Sequence, residues 1–262
     1  MKVFIQNLPA WLKVLIYFLA LWGATLITGI LPMFNDFAFF FLVSLALSWI
    51  FLTMENKSLL SLGFIPLNKK QVSYFFNGLG IGALMLLGCF ALTVFLTKDT
   101  WLFNCKVAPM YLIMSFLICL WSAFVQEFVF RGYPFQTLLK RYSPWIVQLI
   151  IAIPFGLMHL MDHKMSSSDI AITMLCTGIG SVLFGLAYIK TKSLMLPIGI
   201  HLGWNYLQLL IPRASGGGNS GLIIINSQAT YGVLNVVIPY IIVALLSILI
   251  LWMWKPATSI KA

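Results

Sequence analysis

Acidic side chains are scarce in this sequence: its 262 residues carry six Asp and Glu against sixteen Lys and Arg, and charged residues of both signs amount to only 8%. A soluble domain carries about 25% charged residues, so a soluble globular fold is excluded. The hydrophobic share of 61% and a mean hydropathy of +0.99 indicate an integral membrane protein. A basic stripe is also missing. The net charge of +10 is scattered between apolar segments, the pattern of loop charge that sets topology, and nucleic acid is not expected as a partner. The four cysteines, Cys89, Cys105, Cys119 and Cys176, form no C-x-x-C pair, so no redox or metal role is assigned to them. Three of them fall in apolar segments, where cysteine acts as a small hydrophobe. No H-E-x-x-H helix occurs, which withholds the usual sequence support for a zinc hydrolase. No small-residue cleavage site follows the apolar run after "MKVFIQNLPAWLK", so that run is expected to be a retained membrane helix. Inverted pairs of Gly/Pro-broken segments are lacking too, which argues against a transporter. No small-xxx-small surface stands out as a helix-association motif.

What is present is a series of apolar segments near the roughly 20 residues that cross a bilayer. Eight are read, at about 11–33, 37–54, 73–97, 109–139, 145–161, 169–189, 193–212 and 232–254. The expected fold is therefore all-α, a polytopic membrane bundle of about eight transmembrane helices. Three parts are expected: 1–108 with the first three helices, 109–212 as the core, and 213–262 with an external loop and the last helix. The charge bias puts both termini in the cytoplasm, with twelve basic residues on that side and Lys98, Lys106, Lys164 and Arg213 on the other. The Gly-rich "RASGGGNSG" at 213–221 reads as a flexible linker inside a long external loop, either plain or folded over a site as a lid.

Against this background, an ionisable group inside a span needs an explanation, because it costs several kcal/mol, order of magnitude, unless paired or facing a polar cavity. "WSAFVQEFVFRGYPFQ" (121–136) sets Glu127 and Arg131 four residues apart on one helical face, where they can pair. "PFGLMHL" (154–160) carries His159 with Phe155 four residues earlier, and "PIGIHLGWN" (197–205) carries His201 and Asn205, again at i, i+4. At 1.5 Å per residue, Glu127 lies roughly 15–20 Å deep, His159 roughly 22 Å and His201 roughly 12 Å. One shared cavity near mid-membrane, closer to the cytoplasmic side, is the economical expectation. A bland reading competes with it, in which Glu127 and Arg131 form a buried ion pair that only fixes helix registry.

A carboxylate beside an imidazole can deprotonate water, and a second imidazole with an amide N–H can hold the oxyanion formed on a carbonyl. That set suits peptide hydrolysis without a covalent intermediate. Glu127, His159 and His201 could alternatively hold zinc, which takes three protein ligands and a water in catalytic sites. Zinc and a metal-free glutamate mechanism both stay open, and no other cofactor is indicated.

In this order and spacing the motifs resemble those of the CPBP family of intramembrane proteases, which includes the CAAX prenyl endopeptidases and the Abi-like bacteriocin-processing and immunity proteins. The family pattern is E-E-x-x-x-R, then F-x-x-x-H, then H-x-x-x-N, each on its own membrane helix. It stands here as Gln126-Glu127-x-x-x-Arg131, Phe155-x-x-x-His159 and His201-x-x-x-Asn205, within residues 110 to 210. The resemblance implies a membrane endopeptidase, with the bilayer and a peptide or protein substrate, lipidated or membrane-bound, as partners, in a bacterial plasma membrane. It assigns His159 to the attacking water, His201 and Asn205 to the carbonyl, and Arg131 to orienting the acidic pair. Gln126 departs from the pattern at the place of the first, water-activating glutamate. Either Glu127 takes over as base, or Gln126 is an engineered replacement, or the chain is a catalytically silent relative that binds peptides in immunity or regulation.

Overall fold

The computed structural model describes residues 6–30, 36–160, 165–213, 221–226 and 232–255. Among these, helices dominate: α1 (Ala10–Ile30), α2 (Asp36–Met54), α3 (Lys69–Thr97), α4 (Pro109–Arg131), α5 (Tyr133–Leu139), α6 (Pro144–Met158), α7 (Ser167–Thr191), α8 (Met195–Leu210) and α9 (Val233–Met253). The polytopic helical bundle is as expected. Five segments are long and apolar enough to cross a membrane: α2, α3, the α4–α5 pair, α7 and α9. The apolar stretch of α6 is shorter, and α8 has 16 residues, below the roughly 20 that span a bilayer untilted.

Burial is arranged for an apolar solvent. Large apolar side chains such as Leu84, Phe95 and Ile250 face outward, while Ser44, Gln148, Ser181, Glu127 and Arg131 are buried. In lipid the hydrophobic effect does not drive helices together, so close packing and internal polar contacts must do so. The tightest packing joins α3 to α8. Gly78 and Gly82 on α3 face Gly199 and Gly203 on α8, and a Cβ on Gly82 would stand 2.1 Å from the Ile200 carbonyl oxygen. A Cβ on Gly199 would stand 2.2 Å from the carbonyl oxygen of Phe75. Two small-xxx-small pairs thus mesh within one chain, although none stands out in a sequence this rich in glycine. His201 sits between Gly199 and Gly203, so this backbone contact sets its position.

The segment expected as one span at 109–139 breaks at Gly132. Its N–H bonds to the Phe128 carbonyl, and Pro134 opens the seven-residue α5. Here too glycine is required by space, since a Cβ would meet the Phe128 carbonyl oxygen at 2.2 Å. α7 begins at a capping box: the Ser166 hydroxyl accepts from the Asp169 N–H, and the Asp169 carboxylate accepts from the Ser166 N–H. At one end of the bundle, the strand after α3 (β1, Thr100–Phe103) pairs antiparallel with a strand between α8 and α9 (β2, Ile223–Asn226). The long loop after α8 is therefore tied to the α3–α4 connection. Most of the Gly-rich linker, at 214–220, lies outside the described residues.

At the other end, Glu55 ties three helices together. Lys13 of α1 and Lys140 after α5 reach its two carboxylate oxygens at 3.2 Å each, Lys57 lies at 3.3 Å, and the Tyr133 hydroxyl donates to it at 3.1 Å. Burial alone would raise the carboxyl pKa, but Lys140 and Lys13 outweigh that and bring it down to about 2.

Candidate active site

The last two turns of α4 are buried on all sides, from Val125 to Arg131, and they carry the charged pair. Arg131 ends the helix, where the macrodipole favours a cation. Its Nε lies 3.4 Å from Glu127 Oε2 and its Nη1 3.5 Å from Oε1. Its Nη2 donates to both the backbone oxygen and the hydroxyl of Ser181 on α7, at 2.9 Å each. Two aromatic faces complete the enclosure, with the guanidinium carbon 4.4 Å from the Phe155 ring centroid and 5.3 Å from that of Phe184.

Glu127 has a second partner on a third helix. Its Oε1 lies 2.8 Å from His201 Nδ1 on α8. A carboxylate only accepts, so Nδ1 carries the proton and the lone pair is left on Nε2. The His201 ring stacks on Phe184 at 4.6 Å and 12°, which fixes its plane. His159, just past the end of α6, is held the same way: its Nδ1 lies 2.8 Å from the Phe155 carbonyl oxygen, so it also presents Nε2 as an acceptor.

Both imidazoles line a cavity of about 380 Å³ together with Asn205, Trp204, Tyr240 and Arg213. This falls in the ordinary range of ligand sites, roughly 300–1,000 Å³. Glu127 and Arg131 do not line it; both are fully buried behind His201, Phe155 and Phe184. Gln126 does not line it either. Its amide donates to Ser122 Oγ at 3.0 Å, and its Oε1 is buried without a hydrogen-bond partner among the described residues. Of the six residues expected at the site, the structure thus gathers His159, His201 and Asn205 around one cavity. Glu127 and Arg131 stand directly behind them, and Gln126 is set apart. Sequence reasoning missed Ser181, Phe184 and Tyr240, none of which has a charge or motif to mark it.

The cavity runs along α8 from Ile200 to Gln208, across the middle of that helix, and against the first two-thirds of α7 and the start of α9. It does not reach the Lys190 end of the bundle. A cytoplasmic-side cavity and the charge-derived orientation are therefore incompatible expectations for this placement.

The proposed zinc trio does not fit one coordination sphere. Glu127 spends Oε1 on the back of His201, and only the two Nε2 atoms are left facing the cavity, whereas catalytic zinc takes three protein ligands. Among the described residues no group of three or more His, Cys, Asp or Glu is placed to hold a metal.

Comparisons with known proteins agree with the motif reading. Residues 108–207 match the family described as "Type II CAAX prenyl endopeptidase Rce1-like", and they include α4 to α7 and α8 as far as Leu207. No curated protein and no solved structure matches the chain. The matched segment, which builds the Glu127–His201 pair and most of the cavity around it, is similar to the Rce1-like family of type II CAAX prenyl endopeptidases, consistent with a CPBP-type membrane protease.

Proposed function

We propose that the protein is an intramembrane endopeptidase in which His201, backed by Glu127, activates the attacking water. The contact that carries this reading is the 2.8 Å bond from His201 Nδ1 to Glu127 Oε1, with His201 on the cavity wall. Glu127 holds the ring in the tautomer that leaves Nε2 basic and stabilises the imidazolium once the proton arrives. Arg131 and Ser181 hold Glu127 in turn. A water donating one hydrogen to each Nε2, of His201 and His159, would keep a lone pair free for a peptide carbonyl. The Asn205 amide N–H is the donor for the resulting oxyanion. His201 Nε2 then returns its proton to the departing amine.

This assignment moves His201 from the carbonyl side to the water side, because its Nδ1 is committed to Glu127. No step needs a metal, so chelation is expected to leave turnover intact. The substrate is a peptide or protein segment, and the family match favours one carried by a lipid-anchored or membrane-bound protein. Cleavage of quenched-fluorescent peptides by the purified protein in lipid vesicles tests the proposal: His201→Ala and Glu127→Ala abolish it, while Gln126→Ala retains it.

A second reading has one observation behind it. Gln126 stands where the family keeps its first glutamate, and its buried Oε1 lacks a partner, as expected where an amide has replaced an acid. A silent, peptide-binding member would bind those peptides without cutting them, and Gln126→Glu would restore cleavage.

A further inference from the structure

A second cavity, of about 280 Å³, opens at the end of the bundle away from the β1–β2 pair, where the start of α1 meets the ends of α2 and α5. Four basic side chains, Lys13, Lys57, Lys140 and Arg141, line it with a single acid, Glu55. That carboxylate is already saturated. Lys13 and the Tyr133 hydroxyl take Oε1, while Lys57 and Lys140 share Oε2 at 3.3 and 3.2 Å. A carboxylate offers about four acceptor sites, so none is left for Arg141, which joins no ion pair among the described residues. The lining thus keeps three positive charges in excess.

Two ammoniums on one oxygen stand at most about 6.5 Å apart, a spacing that one tetrahedral oxyanion bridges with an oxygen for each. Burial, and then the Lys57 ammonium beside it, lower the Lys140 pKa from its ordinary value, and an anion between the two relieves that repulsion. Membrane topology asks only that basic residues lie on one side of the bilayer. It does not ask that they converge from three helix ends on one hollow, nor that Lys13 be only 7% exposed. Trp11 and Trp145, near the starts of α1 and α6, are exposed at the same end, as aromatic anchors at headgroup level are.

We propose that this cavity is a binding site for a phosphate-bearing anion, held by Lys57, Lys140 and Arg141 with buried Lys13 adding its charge. The phosphate comes either from an anionic lipid headgroup, which its level in the bundle suits, or from free phosphate in the adjoining water. The site is separate from the His201 cavity and does not depend on the peptidase reading.

The test uses the full chain in a non-ionic detergent. Native mass spectrometry compares binding of a short-chain phosphatidylglycerol with the matched phosphatidylcholine, whose choline cancels the charge. Melting temperatures compare inorganic phosphate with chloride at equal ionic strength. Lys57→Gln with Lys140→Gln removes the bridging pair; both side chains are exposed, so the fold tolerates the exchange. Arg141→Gln leaves the Glu55 contacts untouched, and Lys69→Gln with Lys70→Gln lowers the net charge equally outside the cavity. Phosphatidylglycerol is expected to bind the parent about ten-fold or more tightly than phosphatidylcholine. The ratio falls close to one in Lys57→Gln/Lys140→Gln, falls about five-fold in Arg141→Gln, and holds in Lys69→Gln/Lys70→Gln. That pattern identifies a lipid headgroup. Stabilisation by inorganic phosphate over chloride, lost in the same variants and without a lipid preference, identifies the free anion. The proposal is overturned if neither probe separates the parent from Lys57→Gln/Lys140→Gln, or if Lys69→Gln/Lys70→Gln loses as much.

Discussion

Two adjacent residues, Gln126 and Glu127, have opposite fates, because neighbouring positions on a helix point about 100° apart. Glu127 turns inward to Arg131 and His201, while Gln126 turns to Ser122. Replacing Glu127 by Gln keeps the size but removes the charge that supports an imidazolium. Turnover is expected to fall by about 10² or more, within the usual reach of acid–base catalysis, whereas Gln126→Ala stays within a few-fold; initial rates on one peptide measure both. Arg131 is a separate case. Removing it as Arg131→Met leaves Glu127 buried without its cation, which costs on the order of 3–5 kcal/mol. A large loss of thermal stability in detergent is the expected readout, and unchanged stability would mean the pair holds nothing together. The site's charged and imidazole members were legible in the sequence because such groups are rare in spans. Ser181 and Phe184 were not, since a serine or phenylalanine in an apolar helix carries no distinguishing signal.

Between elements, the α3–α8 contact sets where His201 stands. Gly82→Val would drive a side chain into the Ile200 carbonyl, while Gly80, with nothing within 4 Å of its would-be Cβ, accepts alanine. Gly82→Val is expected to lose both stability and activity. Gly80→Ala should be neutral or stabilising by up to about 1 kcal/mol from helix propensity. Melting temperatures of the two variants in one detergent compare them directly. The helices themselves were readable from apolar length, but this contact was not, because glycine spacing does not reveal which helix it faces. The β1–β2 pairing escaped for a related reason: four-residue strands in separate loops gain their hydrogen bonds only from each other. At the Lys140 end, Glu55 makes a pH-dependent joint between α1, α2 and α5. Its folded pKa of about 2 lies below the ordinary 4.5, so its stabilising contribution is complete above pH 4.5 and is lost as pH falls toward 2. Glu55→Gln should remove that part of the acid sensitivity, seen as a flatter melting temperature between pH 5 and pH 3.

At the scale of the whole molecule, the buried polar groups Glu127, Arg131, Ser181 and His201 form one connected cluster in an otherwise apolar bundle. The motif residues stand on α4, at the end of α6 and on α8. They did not place the cavity along the bundle, since depth counted from helix ends does not say which half a cavity occupies. With cytoplasmic termini, as the charge bias implies, the cavity faces the opposite half of the membrane. Gln208→Cys, in a background lacking Cys105 and the cavity-lining Cys176, is then expected to react with a membrane-impermeant thiol reagent added outside intact cells. Protection there, with reaction only in inverted vesicles, would reverse the orientation. The central claim remains the Glu127–His201 pair, and the most direct measurement is single-turnover peptide cleavage by the purified protein in lipid vesicles. Parent and Gln126→Ala proteins are predicted to cut at similar rates, and Glu127→Gln and His201→Ala to cut at least about 10²-fold more slowly. Cleavage that survives in His201→Ala, or that appears only in Gln126→Glu, would contradict the account.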